Sequence, residues 1–284
     1  MYVIGIDVGG TSIKLGVVKD GADIVYRDQR ATPHSIEEMV RVLRELADSA
    51  WQRYPGAEIG ISCAGTLDSE GNITANQMGW VNAPIKKLLT GQFGRPVPLE
   101  NDAVCALIAE HHHGALKGFD TGILLTLGTG IGGGLIIGGQ PARGHKGMHG
   151  EIGHLITHPN GILCGCGQRG CWEQYAAARA LQNMADSLSV QDIMAQVKSG
   201  GMTDLWHRYI DEVVLGLSSL MMIFMPDVIA FGGGLSNAGS ILVDSIREAA
   251  QKTSAFQRYC PFTRFVSARF QNDAGILGAA ALVS

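Results

Sequence analysis

Apolar residues crowd into short runs at Tyr2–Val8, Ser12–Lys19 and Ala22–Arg30, separated by Gly9–Gly10 and Asp20–Gly21. Short β-type runs with this punctuation predict a meander of hairpins. The period then changes. Ile36, Met39, Val40, Leu43, Leu46, Ala47 and Ala50 recur at helical spacing and predict a helix over 35–54. Glu58–Ser62 and Pro96–Glu100 read as strands, and Ala103–Leu116 as a helix. Near residue 118 the pattern restarts, with apolar strands at Thr121–Leu127 and Gly133–Gly139 around a glycine turn. A cysteine-bearing segment is inserted into this second half. Helical regions at Glu173–Ser187 and Thr203–Met225 follow, then a buried strand at Asp227–Phe231 ending in Gly232–Gly233–Gly234. A helix at Asn237–Lys252, a strand at Pro261–Ser267 and a helix from Asn272 complete the chain. Two copies of strands first, then alternating helix and strand, imply an α/β fold with two domains around a central cleft. The expected division is a small domain over 1–117, joined by the C-terminal helix 272–284, and a large domain over 118–271 carrying the insertion. The boundary at Lys117–Asp120 reads as a hinge.

Composition narrows the class. The 284 residues suffice for two domains, and 46% hydrophobic with 17% charged residues describes a soluble globular protein. Lysine and arginine are scattered and the net charge is −4, which argues against nucleic acid as a partner. The longest uncharged apolar stretch, Val213–Met225, is too short to span a bilayer. The chain enters a strand at Tyr2 with no signal-like segment, so a cytoplasmic location is expected. Six cysteines at this length and spacing do not suggest a disulfide framework, and Cys63, Cys105 and Cys260 read as buried free thiols.

The remaining three cysteines carry chemistry. Cys164, Cys166 and Cys171 follow His154 in one loop, with Glu151 and Glu173 at its edges. Four such ligands suit a closed, structural tetrahedral Zn²⁺ site, which would pin the loop and its flanking carboxylates. Asp7, Gly9, Gly10 and Thr11 close the first hairpin. They read either as an ordinary turn or as backbone N–H groups open to phosphate, with Thr11 adding a hydroxyl and Asp7 a charge toward Mg²⁺. Gly128, Thr129, Gly130, Gly132 and Gly133 match G-x-G-x-x-G, but a strand follows instead of a helix, which disfavours a dinucleotide fold. A second phosphate hairpin remains. Gly232, Gly233 and Gly234 would let a base or ribose lie against bare backbone. Glu100–Asn101–Asp102 ends a strand where a helix starts; Asn101 and Asp102 serve there either as an N-cap or, for Asp102, as a base toward an attacking hydroxyl. Asn101, Glu151, His154 and Glu173 would then meet a polyhydroxylated substrate.

These pieces together resemble the ROK family of repressors and kinases. The resemblance rests on D-x-G-G-T at Asp7–Thr11, E-N-D-A at Glu100–Ala103, G-T-G-x-G-G at Gly128–Gly133, E-x-G-H at Glu151–His154 and C-x-C-G-x-x-G-C-x-E at Cys164–Glu173. It implies the actin-like ATPase (ribonuclease H-like) fold, closing on ATP and a sugar. It further implies phosphorylation of a hexose or N-acetylhexosamine, commonly at O6, with glucose the expected substrate and N-acetylmannosamine or another hexose or N-acetylhexosamine the alternative. By the same resemblance Asp102 is the general base, and Asn101, Glu151, His154 and Glu173 contact sugar. Gly65 and Asn82 resemble further sugar-pocket positions. His154, Cys164, Cys166 and Cys171 take zinc. The choice of sugar is expected to depend on Gly65, Asn82 and residues 140–150. Family members are often dimers. One family branch adds an N-terminal DNA-binding module, which this chain, starting at the phosphate strand, is expected to lack. With Asp102 and both phosphate loops intact, the enzyme is expected rather than a non-catalytic sugar sensor, and the paired sugar-pocket residues argue against a client-driven ATPase.

Overall fold

The computed structural model describes residues 1–75, 78–145 and 151–283. Residues 146–150 of the segment expected to shape sugar choice therefore lie outside the described residues. In chain order the first elements are β1 (Tyr2–Val8), β2 (Ser12–Lys19), β3 (Asp23–Ala31), α1 (Ile36–Arg53), β4 (Glu58–Cys63), β5 (Thr66–Leu67), β6 (Ile73–Ala75), β7 (Trp80–Ala83), α2 (Ile85–Phe93), β8 (Leu99–Asn101) and α3 (Asp102–His113). There follow β9 (Gly122–Leu127), β10 (Ile131–Ile137), β11 (Gln140–Pro141), α4 (Glu173–Ala176), α5 (Ala178–Met184), α6 (Val190–Lys198) and α7 (Thr203–Phe224). The last are β12 (Val228–Gly232), α8 (Ser240–Ala250), β13 (Arg264–Ser267) and α9 (Ala274–Ala281). The chain divides into two compact units, one of Met1–His113, Arg143–His149 and Asn272–Ser284, the other of Gly114–Ala142 and Gly150–Gln271.

In the first unit a five-stranded sheet has the order β3-β2-β1-β4-β8. The hairpin strands β1, β2 and β3 run antiparallel, while β1, β4 and β8 are parallel. Val8 pairs with Cys63 and Cys63 with Asn101, so three parallel strands end at one level. Everything that leaves those ends emerges at one edge. Helix α1 buries all seven residues picked out by spacing, Ile36 to Ala50, and starts at Ser35, whose side chain accepts the Glu38 N–H. Helix α9 presses on the opposite course of β1 and β4, where a Cβ at Gly5 would strike the Ile276 carbonyl and one at Gly60 the Ala279 carbonyl. Bare glycine at these two positions is what permits the helix to lie directly on the sheet.

The second unit repeats the plan. Its five-stranded sheet has the order β11-β10-β9-β12-β13, antiparallel through β9 and parallel through β9, β12 and β13. Ile123, Leu125, Phe231 and Phe265 of this sheet share a core with Trp172, Tyr209, Leu217 and Ile246 from the segments around it.

Several elements depart from the sequence reading. The small sheet β5-β6-β7 and helix α2 were not expected, because strands of two to four residues hold too few alternations to register. The expected strand over 96–100 starts only at Leu99. Helix α6 is a further surprise, although Ser189 accepting the Asp192 N–H marks its start. The helix expected over 173–187 breaks at Ala177, which is extended, and the freed N–H of Ala178 donates to the Gly128 carbonyl at 2.8 Å. That break ties a helix start to a glycine hairpin.

Candidate active site

In the first unit, the edge where β1, β4 and β8 end gathers the candidate chemistry. Asp7 is half-buried near the end of β1, and Ser62 Oγ donates to its Oδ1 at 2.8 Å. Burial raises its pKa, opposed by the Ser62 hydrogen bond and the charge of Lys14. The carboxylate lies against Gly275 at the start of α9, where a Cβ would collide with it. In the hairpin, Gly9 N–H closes the turn on the Ser12 carbonyl at 3.0 Å, and Thr32 holds Gly9 and Thr11 by their carbonyls. Gly10 and Thr11 are exposed, and among the described residues nothing accepts from their N–H groups. Such a pair of open donors is suited to an anion.

At the end of β8, Asn101 is the residue that caps α3. Its Oδ1 accepts from Ala103 N–H at 2.9 Å and Val104 N–H at 3.2 Å, and its Nδ2 donates to the Gly65 carbonyl at 2.8 Å. Asp102 is half-buried on the first helical turn, its Oδ1 sharing the Ala103 N–H at 2.9 Å. Burial, then the charge of Asp7, push the Asp102 pKa up to about 6, with the Ala103 N–H acting the other way. A carboxyl group tuned this close to neutrality is well matched to proton transfer. The preceding Glu100 is buried, accepting from Asn101 N–H at 2.9 Å and from Arg143 Nη1 at 3.1 Å. Gly65 sits at φ +125°, where a Cβ would strike the Thr74 carbonyl and the Ala75 side chain of β6. Asn82 of β7 is exposed at φ +49°, and its N–H donates to Thr74 Oγ1 at 3.1 Å. The unforeseen small sheet thus places both Gly65 and Asn82.

In the second unit, the cysteine loop folds into a ligand cluster. His154 ends a single 3-10 turn, Ile152–His154, whose Gly153 lies flush on Ile131 of β10. Glu151 precedes it, exposed, with its carbonyl accepting the His154 N–H at 3.0 Å. One ligand atom from each of His154, Cys164, Cys166 and Cys171 lies within 4.8 Å of the others. Cys166 Sγ and Cys171 Sγ are 3.6 Å apart, as are Cys164 Sγ and His154 Nδ1. Tetrahedral zinc with bonds of about 2.3 Å spaces its ligands by about 3.8 Å, so the set fits. Burial raises the Cys164 and Cys171 thiols, while the Gln168 N–H lowers Cys166; a bound cation would favour the thiolate in all three. Next to the cluster, wholly buried Trp172 anchors the loop by donating to the Glu212 carbonyl at 2.8 Å and resting on Gly216 of α7.

Glu173 joins this cluster to a glycine loop. Its Oε1 is 3.0 Å from Cys164 Sγ and accepts from Gln174 Nε2 at 3.3 Å, while Oε2 would lie 2.6 Å from a Cβ at Gly130. Only glycine leaves room there for the carboxylate. Gly128 N–H folds back on the Gly130 carbonyl at 3.0 Å, with Thr129 between them. Gly132 and Gly133 lie within β10 rather than in the turn, Gly133 pressed on Leu124 and Ile152. Gly232 ends β12 opposite Thr126, and Gly233, at φ +80°, packs on Leu127 at the end of β9. Gly234 opens the 3-10 turn that follows. The two glycine loops of this unit therefore share the carboxyl edge of adjacent parallel strands, where α/β sheets bind ligands.

Sequence reasoning had no signal for Ser62, Arg143 or Gly275, each of which matters only through a neighbour distant in the chain.

Comparison with known proteins places this geometry in context. The model of the ROK family matches residues 3–284. Glucokinase from Streptomyces coelicolor is 33% identical over 305 aligned residues, covering 98% of this chain and 96% of its own. The solved ROK hexokinase from Thermus thermophilus superposes with a TM-score of 0.86 at 37% identity, over 99% of this chain and 97% of that one. A ROK glucokinase from Streptomyces griseus, solved with glucose and AMPPNP, gives a TM-score of 0.85 at 32% identity over 99% of both. The fold shared with these structures is the two-domain actin-like ATPase fold.

Proposed function

The chain belongs to the ROK family, and on that premise we propose that it transfers the γ-phosphoryl group of ATP to a hexose hydroxyl, glucose first among the candidates. The observation that carries this reading is Asp102, a carboxyl group held at the start of α3 with its pKa pushed up to about 6. In the proposed step the sugar O–H gives its proton to the Asp102 carboxylate. The hydroxyl oxygen forms a bond to the γ-phosphorus as the bond to the β,γ-bridging oxygen breaks, and ADP leaves. The open N–H groups of Gly10 and Thr11, and the hairpin at Gly128–Gly130, hold phosphate oxygens; Gly232–Gly234 lies against the nucleoside. When bound, Mg²⁺ would neutralise charge on the phosphates, and Asp7 would be the residue to hold it or its waters.

Asn101, Glu151, His154 and Glu173 hydrogen-bond the sugar, with Gly65 and Asn82 at its border. His154 turns Nδ1 to the thiols. Its Nε2 is then the atom available to a hydroxyl. A metal at His154, Cys164, Cys166 and Cys171 would have all four positions filled by protein, which suits a structural role and no Lewis-acid chemistry. The family resemblance extends to a homodimer, which sedimentation of the purified chain decides.

Asp102→Asn tests the base. The amide keeps the bond to Ala103 N–H but accepts no proton, so kcat should fall by about 10²–10⁴-fold with sugar affinity nearly unchanged. Near wild-type kcat in that variant would remove Asp102 from the mechanism.

A further inference from the structure

Arg143 is used by none of the steps above, yet its guanidinium makes an ion pair with Glu100, a buried carboxylate directly before the catalytic pair. It opens the short stretch that belongs to the first unit between two stretches of the second. From this juxtaposition we propose that Arg143 is a positioning residue, acting through Glu100 to hold Asn101 and Asp102 in their working geometry. The inference rests on the kinase reading of Asp102.

The chain of contacts is short and each link is directional. Arg143 Nη1 donates to Glu100 Oε2 at 3.1 Å, and Asn101 N–H donates to Glu100 Oε1 at 2.9 Å. Both oxygens of one carboxylate are thereby fixed, one by a charge and one by the backbone of the next residue. Asn101 then fixes two further points, the Gly65 carbonyl through Nδ2 and the start of α3 through Oδ1. The Ala103 N–H that Asn101 accepts is the same one shared by Asp102. A carboxylate this buried is costly to keep ionised without a cation beside it. Two other carboxylates, Asp7 and Asp102, already crowd this edge, and the charge of Asp7 acts on Asp102. Without Arg143, Glu100 loses the donor that fixes its Oε2, which loosens its grip on Asn101. Arg143 itself is 47% exposed on its side chain, whereas Glu100 is 11% exposed. The arginine thus reaches in from the surface to serve a group that cannot reach out.

The test compares Arg143→Ala, Arg143→Lys and the double variant Arg143→Ala/Glu100→Gln. Glutamine retains the acceptor for Asn101 N–H but has no charge to neutralise, so it should compensate for the lost arginine. Amide hydrogen exchange reads the positioning without any assay. In Arg143→Ala the N–H groups of Asn101, Ala103 and Val104 should exchange about 10-fold faster. Protection should return in the double variant and largely persist in Arg143→Lys. Steady-state kinetics should follow, with sugar kcat/KM down about 10-fold in Arg143→Ala, regained in the double variant, and the KM for ATP within about twofold throughout. Unchanged exchange in Arg143→Ala overturns the proposal, as does an equal kinetic loss in the single and double variants, which would mean that Arg143 contacts substrate itself. If the unaltered chain phosphorylates no hexose, the kinase reading fails, while the exchange data still decide whether Arg143 holds Asn101.

Discussion

Under the proposed mechanism, Asp102 trades stability for chemistry at a single residue. Its pKa, pushed up to about 6 from an ordinary 3.8, means that the folded chain holds this proton more tightly than the unfolded chain. Between those two values stability falls as pH rises, and above pH 6 the full cost of the buried charge is present. Asp102→Asn removes that charge and should raise stability at neutral pH by on the order of 1–2 kcal/mol, measured by denaturant unfolding, while turnover is lost. For the unaltered chain, kcat/KM for sugar should decline on the acid side with a midpoint near 6, because the protonated carboxyl cannot accept the hydroxyl proton. A flat profile through that region would contradict the assignment. The sequence made Asp102 a candidate through its place between a strand and a helix, but left capping and catalysis as rival roles. In the structure the Asn101 side chain accepts from two of the first helical N–H groups, and Asp102 shares one of them. Arg143 could not be read at all, because its partner is 43 positions away and unmarked by any local pattern.

At the scale of elements, long regular segments were legible and short or interrupted ones were not. Helix α1 shows its buried face by spacing alone, whereas β5, β6 and β7 have too few residues to display a period. The break at Ala177 is tertiary in origin, set by the bond from Ala178 N–H to Gly128, and no breaker residue announces it. The ligand loop was legible because its chemistry is compact in sequence. Cys166→Ser should lower metal content and weaken glucose binding together, since Glu173 stands beside the same cluster. Full zinc with unchanged glucose affinity, by atomic emission and calorimetry, would count against that coupling. Helix α9 was foreseen as a helix, but its flush seating was not. Gly60→Ala puts a Cβ into the Ala279 carbonyl and should destabilise the fold by on the order of 3 kcal/mol. An unfolding midpoint equal to that of the unaltered chain would show that the helix can simply move away.

Across the whole molecule, the repeated meander seen in the sequence becomes two sheets of matching order, β3-β2-β1-β4-β8 and β11-β10-β9-β12-β13. Each brings its glycine loops to the carboxyl edge of its parallel strands, which is why two unremarkable hairpins at equivalent places were informative together. No described helix is long and apolar enough to cross a membrane. The rival readings, a sugar sensor without turnover and an ATPase without need of sugar, differ from a hexose kinase in one observable. The decisive measurement is ADP release with ATP and Mg²⁺ across a panel of glucose, N-acetylglucosamine, N-acetylmannosamine, fructose and allose, with the sugar phosphate quantified in the same samples. The account predicts that ADP and sugar phosphate appear in equal amounts, with glucose fastest and negligible ADP when sugar is omitted. ADP formed at the same rate without sugar, or sugars bound with no ADP formed, would contradict it.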